Sequence, residues 1–555
     1  MQAGTGEAKE PGVPGRPGGL RVIGASALGT LFEWYDFFLY GALASTFAVH
    51  FFSAVHETTA FLLALATFAV GFIVRPLGAI LFGRLGDRVG RKFTFLATLA
   101  LMGVSTFFVG LLPGYAAIGI AAPLLLVGLR VLQGLAIGGE FGGAIVYVAE
   151  HAPAGKRALH TSCIPAMAMA GLLLSLAVIA ATRATMTPEA FADWGWRLPF
   201  LLSAVLLAIS LWMRLSLHES PVFRRMQEAK ALSRAPVAET FLQRSNLRLV
   251  LVALFGCVIG QAALFYVATF YAYYFLERIA RVDGFTLTLL TGTALAIGTP
   301  LVVACGWLAD RVGRRPLLLG SVALAALLYF PLFGALLAAA NPALVEARAT
   351  APVVVYADPR DCTLLFDPLG RARHDRRSCD VIKSELARGG IGHVTVALSA
   401  PGPARLEVGG TTIFAPDDAA LAGADRAVSV AAFQADARKA LDAAGHRGQA
   451  DPSRVDRPRV VAILVALLAL AAACSGAYAA LLAELFPARI RYTALSFPQN
   501  FGNGWFGGLL PAITFAIVAA TGNLFAGLWY PVGLAVTCLV VGWFTIPETR
   551  DRSMD

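Results

Sequence analysis

Between Arg248 and Glu277 the chain runs through LVLVALFGCVIGQAALFYVATFYAYYFL without a charged residue. A bilayer core is crossed by about 20 apolar residues in a helix. Lipid offers no hydrogen bonds to the backbone, so a lone segment can cross only as a helix. Runs of this kind recur along the chain. Of its 555 residues, 57% are hydrophobic and 14% charged, and mean hydropathy is +0.68. A soluble domain carries about 25% charged residues. The chain therefore reads as an all-α integral membrane protein.

Twelve spans are expected, near 21–49, 61–83, 93–112, 117–149, 158–181, 197–215, 249–274, 286–309, 317–339, 459–483, 495–519 and 526–546. Lys and Arg in short loops set orientation. They crowd the loops on the side of the N-terminus, including Lys9, Arg16, Arg84, Arg88, Lys156, Arg214, Arg234 and Arg489. The short loops opposite hold only Arg183, Arg197, Arg278 and Arg281. Both termini are expected in the cytoplasm. The formal net charge of +10 then reflects topology, not a nucleic-acid surface. Residues 1–20 are Gly- and Pro-rich without an apolar core, and read as a disordered cytoplasmic tail, not a secretory signal.

The chain repeats itself. GRLGDRVGRK begins at Gly83 and GWLADRVGRR at Gly306, an offset of 223 residues. EHAPAGKR begins at Glu150 and ELFPARIR at Glu484, an offset of 334. Two six-helix halves related by a parallel pseudo-symmetry account for both pairs. The larger offset requires an insertion in the second half, and the polar stretch 340–459 supplies it. The expected organisation is a bundle of six helices (21–215), a cytoplasmic central loop (216–248), helices 7–9 (249–339), the insertion, helices 10–12 (460–546) and a cytoplasmic tail (547–555). The insertion is expected outside the cytoplasm, between helices 9 and 10, as a small α+β domain. VVVYA, VTVALS, ARLEV and GTTIFA read as strands, and 378–386 and 430–444 as helices. It contains Cys362 and Cys379, whose spacing and compartment favour a disulfide over two free or buried thiols. No metal site is expected, since His374 is the only soft partner nearby.

These motifs resemble the major facilitator superfamily. GRLGDRVGRK matches its loop signature, and GWLADRVGRR is a weaker echo. FEWYDFFLYG from Phe32, FIVRPLG from Phe72, RVLQGLAIGGE from Arg130, GGEFGGA from Gly138 and ELFPARIRYTALSF from Glu484 resemble its metabolite:H⁺ symporter branch. That branch includes proline/betaine, α-ketoglutarate and shikimate transporters. The glycine-proline antiporter motif of the fifth helix is missing, with CIPAMAMAG in its place. The resemblance implies the fold of that superfamily. It also implies a gating latch stabilising the outward-open state, formed by Gly83, Gly86, Asp87, Arg88, Gly90 and Arg91, and echoed at Asp310, Arg311, Gly313 and Arg314. The alternative is that the basic residues only signal topology.

Glu33, Asp36, Arg75, Arg130 and Glu140 lie within spans, all in the first half. Charge in a membrane core is costly and marks function by default. Glu33 and Asp36 share a helical face, with Tyr40 one turn on. A carboxyl group in low dielectric is readily protonated, and none of the eight histidines lies mid-span. Asp36, then Glu33, are the proton-coupling candidates, with Arg75 and Arg130 as charge partners. The alternative is a static ion pair. Glu140 reads equally as a structural cap or pair. Candidate solute contacts are Arg75, Arg130, Gln133, Tyr40, Gln261, Tyr266, Asn500 and Asn503, with Gln499 beside them. Each aromatic among them serves equally well as packing.

No catalytic set, nucleotide loop or metal spacing appears, so no enzyme is expected. The expectation is a monomeric transporter in the cell inner membrane. It would carry a small organic solute, a carboxylate or zwitterion, together with a proton. Its partners would be the solute, the proton and the lipid bilayer, with no nucleic acid and no cofactor beyond the proton gradient. The rival readings are a proton-independent uniporter, an exporter and a non-transporting sensor that uses the insertion.

Overall fold

The computed structural model describes residues 19–53, 57–215, 219–358, 362, 377–398, 402–416, 424–446, 448–552 and 554. Lys9, Arg16 and His374 lie outside them. Helix α1 spans Gly19–Ala42. It is followed by α2 (Glu57–Arg88), α3 (Arg91–Leu111), α4 (Ala121–His151), α5 (Arg157–Ala184) and α6 (Gly195–Leu215). The second half contains α7 (Arg244–Ile279), α8 (Gly284–Val312), α9 (Arg314–Ala340), α10 (Arg457–Leu485), α11 (Arg491–Thr521) and α12 (Ala526–Thr545). Among the described residues, eleven helices, α2 to α12, are long and apolar enough to cross a membrane. The first expected span, 21–49, is broken after Ala42, and a short helix, Ala44–Phe51, follows.

Within the first half α2 packs against α4, and α1 against α5; in the second, α8 and α9 pack against α10. The halves meet along α2–α11 and α5–α8. Glycines let α2 and α4 touch backbone to backbone. A Cβ on Gly138 would stand 2.2 Å from the carbonyl oxygen of Arg75, and one on Gly134 2.5 Å from that of Gly71. The glycine-rich GLAIGGEFGG segment is therefore a packing surface, as small residues are between membrane helices.

Two of the described helices contain π-type turns. α7 contains three π-type turns, at 254–258, 267–271 and 275–279, and α11 one at 502–507. Each adds a residue to a turn and rotates the downstream side chains about the helix axis. Such turns are frequent at functional sites.

Between α9 and α10 lie four strands: β1 (Val353–Ala357), β2 (Val394–Ala397), β3 (Arg405–Val408) and β4 (Thr411–Phe414). The sheet order is β2-β1-β3-β4, with β1 parallel to β2 and antiparallel to β3. Gly409 and Gly410, with φ of 55° and 80°, make the β3–β4 turn, a conformation that favours glycine. Helices Ser378–Arg388 and Ala424–Ala443 cover one face. Val355, Leu406, Ile382, Phe433 and Leu441 form the buried core there. A disulfide joins Cys362 to Cys379.

This unit is fastened to the second half. Arg281, just beyond α7, donates to the carbonyls of His446 (2.7 Å) and Gly389. The His393 N–H donates to the Gly522 carbonyl between α11 and α12 (2.8 Å). Burial, aided by nearby Lys383, pushes the His393 imidazole down to about 4.

Gly138→Val is expected to cost about 1–3 kcal/mol through overpacking. Gly128→Val on the same helix, where no atom lies within 4 Å, should cost much less. Thermal unfolding of the two purified variants checks this. His393 has its imidazole value lowered by folding, so its stabilising effect is complete above about pH 6.5 and fades as pH falls to about 4. Hydrogen exchange on residues 378–398 should show protection falling through that window, and His393→Gln should flatten the dependence.

Candidate functional site

Glu33 and Asp36 of α1 are buried, with 1% and 5% of their surface exposed. Asp36 lies beside the Thr106 hydroxyl of α3. That hydroxyl accepts from Gln133 Nε2 of α4 (2.8 Å), and Gln133 Oε1 accepts from Arg130 Nη1 (2.6 Å). The Arg130 guanidinium lies over the Tyr40 ring at 3.7 Å. Four sequence candidates, Asp36, Gln133, Arg130 and Tyr40, thus form one cluster. Both oxygens of Glu33 and Oδ1 of Asp36 are buried without a hydrogen-bond partner. Such atoms forfeit free energy unless a proton, cation or water reaches them.

The expected charge partnership is present only at longer range, between Glu33 and Arg75. Among the described residues no ion pair joins Glu33 or Asp36 to Arg75 or Arg130. Arg75 instead lies among rings, 4.5 Å from those of Phe37 and Phe72 and 5.4 Å from Trp34. It faces Tyr266 of α7 across the seam. Cation–π attraction replaces the carboxylate there. The acid that does have an arginine partner is Glu140, whose Oε1 is 2.7 Å from Arg214 Nη1 of α6. Arg214 reads from sequence as a loop charge, yet it is fully buried against the Phe95 ring at 3.5 Å.

The second half brings amides to the same depth. Asn503 Nδ2 donates to Gln261 Oε1 (3.1 Å). Asn500 Nδ2 donates across the seam to the Gly138 carbonyl (2.8 Å). Gln499 Nε2 donates to the Tyr478 hydroxyl (3.4 Å). With Trp34, Arg75 and Phe265 these residues enclose about 20 Å³, room for roughly one water. Asn503 sits in the π-type turn of α11, and Gln261 and Tyr266 lie between two such turns of α7. Trp34 and Tyr478 were missed from sequence. Trp34 stands among equivalent aromatics. Tyr478 had a signal, as the polar break CSGAY in an apolar helix.

At the basic end of the bundle the two halves are clasped twice. Asp87 at the end of α2 accepts from the N–H groups of Tyr492 (3.2 Å) and Thr493 (2.9 Å) and from the Thr493 hydroxyl (2.7 Å). It thereby caps the first turn of α11 in the other half. Asp310 at the end of α8 accepts from the N–H groups of Ala158 (3.1 Å) and Leu159 (2.8 Å), capping α5. The echo motif therefore makes the same kind of contact as the signature itself. Arg91 holds Asp87 (2.9 Å) and Arg314 holds Asp310 (2.9 Å). Glu150 takes Arg491 (3.0 Å) as Glu484 takes Arg314 (3.3 Å) and Arg157 (3.4 Å).

Gly90 and Gly313, with φ of 140° and 113°, turn α2 into α3 and α8 into α9. Those turns admit Glu219 and Glu548, which accept from the N–H groups of Arg91 (3.1 Å) and Arg314 (3.0 Å). Next to each acid a hydroxyl reaches the central glutamate: Ser220 donates to Glu150, and Thr549 to Glu484 (2.7 Å). This second repeat, Glu-Ser and Glu-Thr, is too short to stand out in sequence. Gly83 and Gly86 pack on Thr493 and Tyr492. Arg88 is exposed, and Arg311 lies over Trp307 at 3.7 Å; neither joins the clasp.

A family model described as Major Facilitator Superfamily matches residues 26–355. The chain belongs to that superfamily. It is a multi-pass membrane transporter, not an enzyme. The transporter is 41% identical over 333 residues to the inner membrane metabolite transport protein YhjE of Escherichia coli, covering 59% of this chain and 75% of that one. It is 39% identical over 322 residues to the shikimate transporter of the same organism, covering 57% and 72%. To the proline/betaine transporter of Salmonella typhimurium it is 35% identical over 322 residues, covering 55% and 63%. The resemblance to the branch that includes shikimate and proline/betaine transporters is borne out. Among solved structures, a proton:xylose symporter, XylE, aligns over 97% of each chain with a TM-score of 0.61 and 14% identity, a likeness of fold alone.

Asp87→Asn removes the carboxylate 2.9 Å from Arg91, which keeps Glu150 at 3.8 Å, and weakens the cap on α11. Breaking a buried pair costs about 3–5 kcal/mol. Spin labels at the ends of α2 and α11 should report a longer mean separation in the variant than in the wild type.

Proposed function

We propose that the transporter takes up a small organic carboxylate or zwitterion together with a proton, by alternating access. The observation that carries this is the pair Glu33 and Asp36, buried with unpartnered oxygens on either side of Trp34, which lines the cavity that also holds Arg75. A carboxylate solute suits Arg75, because its guanidinium has no ion pair among the described residues and Nε and Nη2 lack hydrogen-bond partners. Gln261, Asn500 and Asn503 would orient the polar remainder, and the rings of Trp34 and Phe265 would cover it. Protonation of Asp36 or Glu33 would remove a negative charge near the solute and so favour loading.

In this reading α1 is the twelfth span. The charged, clasped end of the bundle faces the cytoplasm, where Lys and Arg concentrate. Both termini lie on that side, and the α+β unit between α9 and α10 lies outside. The protein is monomeric, sits in the inner membrane and uses no cofactor beyond the proton gradient. The names of the relatives, shikimate and proline/betaine transporters among them, support the solute class.

Uptake by purified protein in liposomes tests the proposal. A panel of radiolabelled shikimate, α-ketoglutarate, citrate, proline, glycine betaine and an aromatic acid is offered, with and without an inward proton gradient. The expected result is gradient-driven accumulation of one solute. Asp36→Asn should abolish that accumulation, a loss of at least ten-fold, while leaving exchange of the same solute measurable. Uptake indifferent to the gradient would make the protein a uniporter. Solute binding by the whole protein without any uptake would make it a sensor.

A further inference from the structure

An open groove lies away from the proposed solute site. It measures about 430 Å³ and lies between the end of α2 and a short helix of the central loop, Pro236–Leu242. Its walls are apolar, with Val237, Phe241 and Leu242 prominent, and Arg84 and Arg234 flank it. Both arginines are exposed. Among the described residues neither has a carboxylate partner. The acid on the same short helix, Glu239, is already engaged, by Arg489 (3.2 Å) and by the Ser233 hydroxyl (2.6 Å). Leu242 is 80% exposed and extends the apolar wall of the groove.

The surroundings continue this pattern toward the membrane interior. On α2, Leu81 and Leu77 lie one and two turns before Arg84 on the same face, and are 50% and 62% exposed. On α11, Phe497, Phe501 and Trp505 form a stacked ladder, with centroids 5.7 and 5.2 Å apart. Phe241 meets the foot of that ladder at 4.8 Å. Two cations without a carboxylate partner among the described residues therefore stand at the basic end of the bundle, beside an apolar track that runs along the α2–α11 seam. A free metabolite would not need the track, and a neutral lipid would not need the arginines.

We propose that this groove binds one anionic phospholipid, its phosphate between Arg84 and Arg234 and an acyl chain along the α2–α11 seam. The inference uses the orientation proposed above, since anionic lipid is concentrated at the cytoplasmic leaflet. A lipid held there touches both Arg84 of the first half and the helix packed on α11 of the second. It would favour the clasped arrangement of the two halves.

The full-length protein in detergent, with phosphatidylglycerol or phosphatidylcholine added, tests this by native mass spectrometry. This readout depends neither on transport nor on sidedness, so its failure would not be confused with failure of the proposed function. One phosphatidylglycerol should remain bound per protein, retained at least ten-fold better than phosphatidylcholine. Arg84→Gln and Arg234→Gln should each lower retention several-fold, and together abolish the preference. Arg224→Gln, exposed on a different helix of the central loop, should leave it unchanged. Leu242→Ser, conservative for folding at an exposed site, should weaken lipid retention without creating affinity for glycerol phosphate. Equal retention of both lipids, a preference that survives the double variant, or displacement by millimolar glycerol phosphate would each overturn the proposal.

Discussion

Two carboxylates hold the halves of this transporter together at one end. Asp87 and Asp310 each leave their own helix and cap the first turn of a helix in the opposite half. A buried carboxylate among backbone N–H groups is well satisfied only while the partner helix start stays in place. Separation of the halves would strand two aspartates and the free N–H groups they cap. The contact is therefore strong when formed and can be replaced as a unit by water when the end opens. Arg91 and Arg314, Glu150 and Glu484, Glu219 and Glu548 extend the same logic outward in matched pairs. By contrast, the contacts that close the middle of the seam on α1 and α7 are ring contacts, such as Phe38 with Phe270 at 5.5 Å. These are weaker and less directional. The structure is thus clasped at one end and closed by aromatics in the middle of the seam.

The chemistry in the middle of the bundle is divided between the halves. The first supplies charge, on Glu33, Asp36, Arg75 and Arg130; the second supplies amides and rings. The π-type turns of α7 and α11 belong to this division. They bring Gln261, Tyr266 and Asn503 toward the seam in helices otherwise built to pack. The attached α+β unit adds a mechanical link, because Arg281, which fastens it, comes directly after the C-terminal end of α7. Movement of α7 must carry that unit along or break those bonds.

Periodicity and composition made much of the architecture legible before any coordinates. Apolar runs of bilayer length specify spans, because unpaired backbone cannot exist in lipid. Alternating apolar residues around Gly409–Gly410 specify a hairpin, since few other residues accept that turn. The repeated loop motifs specified two related halves, and the buried acids of α1 stood out because charge is rare in such a helix.

Pairing was legible only in three dimensions. Arg214 reads as a loop charge, because its position at the last turn of α6 fits a membrane edge; only the packing of α6 against α3 and α1 brings it beside Glu140. Arg75 and Arg130 read as partners of Asp36, because opposite charges in lipid should meet. The helices instead turn them onto rings and an amide, which leaves Nε and Nη2 of Arg75 without hydrogen-bond partners. Glu219–Ser220 and Glu548–Thr549 are two-residue signals that any chain contains by chance. They gain meaning only when the fold sets each beside a glycine turn and a buried glutamate. A sequence dictates which groups must find partners in a low dielectric; the crossing of helices distant along the chain decides which partners they find.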